Sequence, residues 1–155
     1  MSIDAIRSEL QTTLAAISGV SKCYKDDPNI SPAEADLPAF VLSFAQPACD
    51  ARSATNSSIE YTWHFTVRFL YKPVGLGNPD ENMSAIEDYV KLFVDAMSAN
   101  ITGGGVWQDW NKDTGNLAFT IGLVETFAGE SGKFYWGYIV NLDITEIVAT
   151  TMSAG

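Results

Sequence analysis

Apolar and polar residues alternate through "IEYTWHFTVRFLY", Ile59 to Tyr71. Ile59, Tyr61, Trp63, Phe65, Val67, Phe69 and Tyr71 fall on one face. Glu60, Thr62, His64, Thr66 and Arg68 fall on the other, with Leu70 as the exception. A period of two predicts a strand with one buried face. At ~3.3 Å per residue this stretch reaches ~43 Å, whereas a compact chain of this length is only ~40 Å across. The strand therefore bends or runs past the edge of its own core. "FYWGYIVNLDITEIV" repeats the pattern, with Phe134, Trp136, Tyr138, Val140, Leu142 and Ile144 on one face. Its phase changes at Glu146–Ile147, which predicts a bulge or a bend.

Helical spacing appears twice. In "SIDAIRSELQTTLAAISG", Ile3, Ile6, Leu10, Leu14 and Ile17 form one stripe, with Ser2 as N-cap and Gly19 beyond the last turn. In "NPDENMSAIEDYVKLFVDAMSAN", Asn78 caps, Pro79 opens the helix, and Asp80 and Glu81 fill the first turn. Met83, Ile86, Tyr89, Val90, Phe93 and Met97 make its apolar face. Shorter strands are expected at "VSKCY", "AFVLSF" and "NLAFTIGLVETF", and a short strand or an irregular hairpin at "VWQDW". Loops are expected at "KDDPNISPAEADLP", "KPVGLG" and "AGESGK", and over the small, polar stretch "AQPACDARSATNSS". A loop as long as the last is usually functional or mobile. The order of elements predicts a single α+β domain over 1–148, a mainly antiparallel sheet with two helices packed on one face, and a flexible tail over 149–155.

Composition narrows the chemistry. The chain has 155 residues, with 9 Lys+Arg against 19 Asp+Glu for a net charge of −10. Such a surface repels phosphates, so binding DNA by neutralising its backbone is not expected. The N-terminus does not read as a signal peptide, and no apolar run is long enough to span a membrane. Cys23 and Cys49 fit no metal spacing; free thiols are expected, with a disulfide left open.

Candidate catalytic and ligand sites are sparse. His64 is the lone histidine, and no motif around Ser57, Ser58 or Cys49 gives it a partner. "GLG" at Gly75–Gly77 lacks the remaining residues of a phosphate loop, and Asp80 and Glu81 would repel an anion there. "DWNKD" and Asp26–Asp27 lack the ligand pattern of a calcium loop. No catalytic, cofactor or metal residue is assigned, and an enzyme is not expected. Aromatics are the loudest feature: Tyr61, Trp63, Phe65 and Phe69 on one long strand, and Phe134, Trp136 and Tyr138 on the other. Two helices of ~25–30 Å cannot cover strands of ~40 Å. The apolar face left over needs a cover, and a neighbouring subunit is the simplest.

The succession of "AISGV", "DLPAFVLSF", a long polar loop, a long aromatic strand, "NPDENMSAIEDYVKLFVDAM" and "FYWGYIVNLDIT" resembles the tail-terminator (tail-completion, minor tail) proteins of long-tailed bacteriophages. The resemblance is one of ordered elements over nearly the whole chain. It implies a virion structural protein, made in the host cytoplasm, that assembles as a ring, typically a hexamer. The ring caps the tail tube protein, docks the head-completion or neck protein, and lets DNA pass through its channel without specific binding. Head-completion proteins of similar size fit the same pattern. Candidate interface residues are Gln46, Asp50, Arg52 and Asn56 in the polar loop, Tyr61, Trp63, Trp136 and Tyr138 on the strand faces, and Met152 in the tail. The alternative is a monomeric carrier with a pocket lined by Trp63, Phe65, Trp136 and Tyr138.

Overall fold

The computed structural model of the chain describes residues 3–25, 36–75, 78–100, 103, 109–111, 116–125 and 134–149. Helix α1 (Ile3–Ala15) forms because Ile6, Leu10 and Leu14 recur on one stripe, and all three are fully buried. After it the chain turns through Gly19 at φ 88°, a left-handed conformation that suits glycine. A Cβ at Gly19 would also run into the Tyr89 hydroxyl. Helix α2 (Pro79–Ala99) starts as its sequence predicts. The Asn78 side chain accepts from the Asp80 amide at 2.9 Å, Pro79 needs no amide partner, and Asp80 and Glu81 meet the positive end of the helix dipole.

The strands are β1 (Lys22–Tyr24), β2 (Ala39–Thr55), β3 (Ser58–Pro73), β4 (Asp109–Trp110), β5 (Phe119–Glu125) and β6 (Phe134–Ala149). They form one sheet in the order β1-β2-β3-β6-β4, with β5 also paired to β6. Only β1–β2 is parallel. Both helices lie on one face, where Ile6, Leu10, Leu14, Ile86, Phe93 and Met97 meet Phe40, Leu42, Phe65, Val67, Phe69, Tyr138, Val140 and Leu142. The protein is α+β, as its pattern of elements predicts.

On the other face Leu70, out of phase in the sequence, packs with Val41, Val124 and Tyr135 in a second, smaller cluster. Its apolar side chain is explained there. Gly137 of β6 lies hard against the backbone of β3. A Cβ on that residue would run into the carbonyl of Phe69, so the close approach requires glycine.

Two expectations are corrected. Residues 45–55 are not a loop: they continue β2, and a turn at Asn56–Ser57 leads into β3. The stretch lacks an apolar alternation because its side chains are largely solvent-facing. It is held as a strand by pairing, Cys49 through Ser53 opposite Trp63 through Ile59. Nor is there a bulge at Glu146–Ile147. The β3–β6 register runs evenly from Ser58↔Ala149 to Leu70↔Gly137, and its one shift lies between Leu70 and Lys72. Glu146 keeps the phase of Ile144 and is buried, while Ile147 points out on the opposite face. The expected turn at "AGESGK", the Ser2 cap, the acids Asp26, Asp27 and Asp113, and the expected tail over 149–155, apart from Ala149, which ends β6 opposite Ser58, lie outside the described residues.

Candidate functional site

The β3–β6 ladder divides into two halves. Beneath the helices Phe65, Val67 and Phe69 are buried against Leu142, Val140 and Tyr138. Toward the β2–β3 turn, Ile59, Tyr61 and Trp63 lie on the same face but are only half-buried. Length explains this. Sixteen-residue strands extend ~53 Å, while α1 and α2, at 13 and 21 residues, span ~20 Å and ~32 Å.

The far half carries an aromatic shelf. Phe44, 40% exposed, stacks on Phe65 at 5.2 Å and lies 6.2 Å from Trp63, which stacks on Tyr61 at 6.3 Å. The Arg7 guanidinium of α1 sits 5.7 Å above the Phe44 ring. Trp63 donates through Nε1 to Glu146 Oε1 at 3.1 Å, and Glu146 Oε2 is buried without a partner. Cys49 stands opposite Trp63. Burial, then the charges of Asp50 and Glu146, push its thiol pKa up, so it is not an activated nucleophile. Both cysteines are free thiols, and burial pushes Cys23 up to about 12.

A second apolar surface lies at the opposite edge. On β5, Ile121 and the 55%-exposed Leu123 continue the helix-side face, next to exposed Phe134 and half-buried Trp136. Val74 adjoins them, its backbone N–H donating to the Phe134 carbonyl at 3.1 Å. Each side of the sheet also has an open edge among the described residues. β1 covers only Ala39–Val41 of β2, leaving the rest of its outer edge unpaired, and no strand flanks β5 beyond β6.

The far half's other face is mostly polar, with exposed Ile147 as the apolar exception. Between Phe44↔Phe65 and Cys49↔Trp63, four residues of β2, Ala45–Ala48, stand against His64 alone. At this break the His64 side chain links both neighbours. Nδ1 is 2.7 Å from Asp143 Oδ1 on β6, and Nε2 is 2.8 Å from Asp50 Oδ2 on β2. A neutral imidazole has one N–H, so two such short contacts to carboxylates require the imidazolium. Burial lowers the pKa of His64, but the hydrogen bonds and charges of Asp143 and Asp50 outweigh it and hold it above 6.5. Asp143 is itself fixed by Asn111. The Asn111 amide donates to the Asp143 carbonyl, and Asn111 Oδ1 accepts from the Asp143 amide, both at 2.7 Å. Asn111 reaches this geometry at φ 45°, where asparagine is among the tolerated residues. Beside the bridge lies an open cleft of about 360 Å³, lined by Gln46, Pro47, Asp50, His64, Asn141 and Asp143 among others. Below the bridge Arg52 bonds Glu60 at 2.8 Å.

The structure brings most of the candidate residues into this far half. Gln46 lies in the β2 irregularity, Asp50 in the histidine bridge, Arg52 on Glu60, Asn56 in the turn, and Tyr61 and Trp63 on the shelf. Trp136 lies elsewhere, beside the β5 surface. Tyr138 is a correction: it is fully buried, packed between Phe69, Phe93 and Phe119, and cannot touch a partner. Met152 lies outside the described residues. The four aromatics of the carrier reading do not converge either. Phe65 and Tyr138 fill the core, and Trp63 and Trp136 sit at opposite ends of the ladder, opposite Ile144 and Lys72. Sequence reasoning missed Glu146, Asp143 and Asn111, whose roles depend on distant partners. Both His64 nitrogens are taken by carboxylates, so it has no nitrogen free to act on a substrate. Among the described residues no group of His, Cys, Asp and Glu is placed to hold a metal, and no helix is long and apolar enough to cross a membrane. No protein-family model matches the chain, and no curated protein matches it.

Proposed function

We propose that the protein is a ring-forming structural subunit of a phage virion, a tail terminator that caps the tail tube and joins it to the head. One observation carries the reading. A paired ribbon longer than its own helices leaves an aromatic shelf at one edge of the sheet and a second apolar surface at the other, and among the described residues both edges are open. Exposed apolar strands of this kind call for cover. The two surfaces differ and lie at opposite edges, so copies would join head to tail, and head-to-tail contacts close into rings when the rotation permits. The element order that resembles tail terminators supplies the particular assembly. The net charge of −10 suits a channel wall that DNA slides past without sticking.

The test is electron microscopy of the purified protein, alone and mixed with phage tail tubes. The reading expects closed rings, seated at one end of the tubes. Particles no larger than one chain, with bare tube ends at every concentration tried, would contradict it.

A further inference from the structure

We propose that His64 is a proton-operated latch: as imidazolium it ties the far half of β2 to β3 and β6, and on losing its proton it releases that half. This goes beyond the ring reading and holds for a single chain.

Three features of the geometry carry the inference. First, the latch sits where the backbone ladder fails. Four residues of β2 face His64 alone, so the main chain gives little continuity between the near and far halves of the β2–β3 hairpin. Second, both ring nitrogens are used, one toward each flanking strand, at 2.7 and 2.8 Å. One protonation event therefore controls two cross-strand contacts. Third, one end of the bridge is anchored and the other is not. Asp143 is in the sheet interior, with its backbone clamped by Asn111. Asp50 is exposed on an edge strand with nothing outside it among the described residues. When the bridge fails, Asp50 is the end that moves.

The charged groups facing His64 decide the direction. β2 supplies Asp50 and β6 supplies Asp143, both carboxylates in contact with the ring. The nearest cation on β2, Arg52, is bonded to Glu60 of β3, and Arg68 of β3 is bonded to Ser43. From β4, Asp109 stands across from Thr145 and adds a further acid. The neighbourhood in contact is anionic. Loss of the proton leaves an imidazole lone pair against one carboxylate and two acids with a single donor between them. Because the folded chain holds the proton more tightly than the unfolded one, the contribution of the bridge is complete below about pH 6.5 and disappears as pH rises through the raised pKa.

The test uses the intact protein. NMR follows His64 titration, and hydrogen exchange follows the amides of residues 50–55, expressed as protection factors so that intrinsic base catalysis cancels. The expected result is a His64 midpoint above 6.5 and a loss of protection of about tenfold or more over 50–55 across that midpoint, with residues 65–69 unchanged. His64→Gln should show the low protection already at about pH 6 and no step. Asp50→Asn should keep the anchored contact to Asp143, move the midpoint down, and loosen 50–55 at every pH. A midpoint at or below 6.5, protection over 50–55 that is flat with pH, or the same step in His64→Gln would each overturn the latch.

Discussion

Phe69 and Tyr61 stand on the same face of the same strand, yet their surroundings differ. Phe69 touches Phe40, Tyr89 and Tyr138 and is fully buried. Tyr61 has Trp63 beside it and is half-open to solvent. Along β6 nothing changes between them: the β3–β6 pairing is continuous and the alternation is the same, although the β2–β3 ladder is interrupted at His64. What changes is the layer above, because helices rise ~1.5 Å per residue and strands ~3.3 Å. The near half is a core made by two layers. The far half is one layer, with half-buried Tyr61 and Trp63 and exposed Phe44 on one side and a mostly polar surface on the other, and its aromatic side is the one that the proposed assembly would cover.

Substitutions can break that comparison, and the largest effects belong to the near half. Gly137→Ala drives a methyl into the Phe69 carbonyl, where the two backbones have no slack. The expected outcome is a chain that fails to give a cooperative unfolding transition. Phe69→Ala leaves a cavity among the rings of Phe40, Tyr71, Tyr89 and Tyr138 and should cost about 3–5 kcal/mol in denaturant unfolding. A loss below about 1 kcal/mol would mean that the near half is not the core described.

In the far half the same kind of truncation should separate folding from assembly. Tyr61→Ala is expected to cost at most about 1 kcal/mol of stability, the range of a cross-strand pair on an open face. It should nevertheless weaken self-association by about tenfold or more, as loss of a central aromatic does in an interface. Leu123→Lys on β5 probes the opposite surface and should also reduce assembly, with little change in the unfolding midpoint. If either variant unfolds as readily as Phe69→Ala, the far surfaces are ordinary core and the division into halves is wrong.

The smallest effect sharpens the comparison from outside the sheet. Asn78→Ala removes the cap of α2 and should cost about 1 kcal/mol without touching assembly. Denaturant unfolding and sedimentation on the same sample check both parts.

The elements that were legible in the sequence are those whose signals are local. The α2 start needs only Asn78, Pro79, Asp80 and Glu81, which are adjacent, and the long strands β3 and β6 carry their own alternation. The far half of β2 was not legible, because Asp50, Arg52 and Ser53 lack an apolar face and are strand only through what they pair with. Glu146 looked like a slip of phase because a carboxylate on an apolar face is improbable until its partner, Trp63, is placed 83 residues away. The histidine bridge was invisible for the same reason: Asp50 and Asp143 lie 14 and 79 residues from His64. Leu70, the one residue that broke the pattern of β3, was a true signal of a second cluster on the back of the sheet.

The most direct measurement of the central claim is the mass of the purified chain in solution across a wide concentration range, by sedimentation equilibrium. The account predicts a discrete closed oligomer that Tyr61→Ala and Leu123→Lys each shift toward single chains. A particle of 16.8 kDa at every concentration, for the unaltered chain as for both variants, would contradict it.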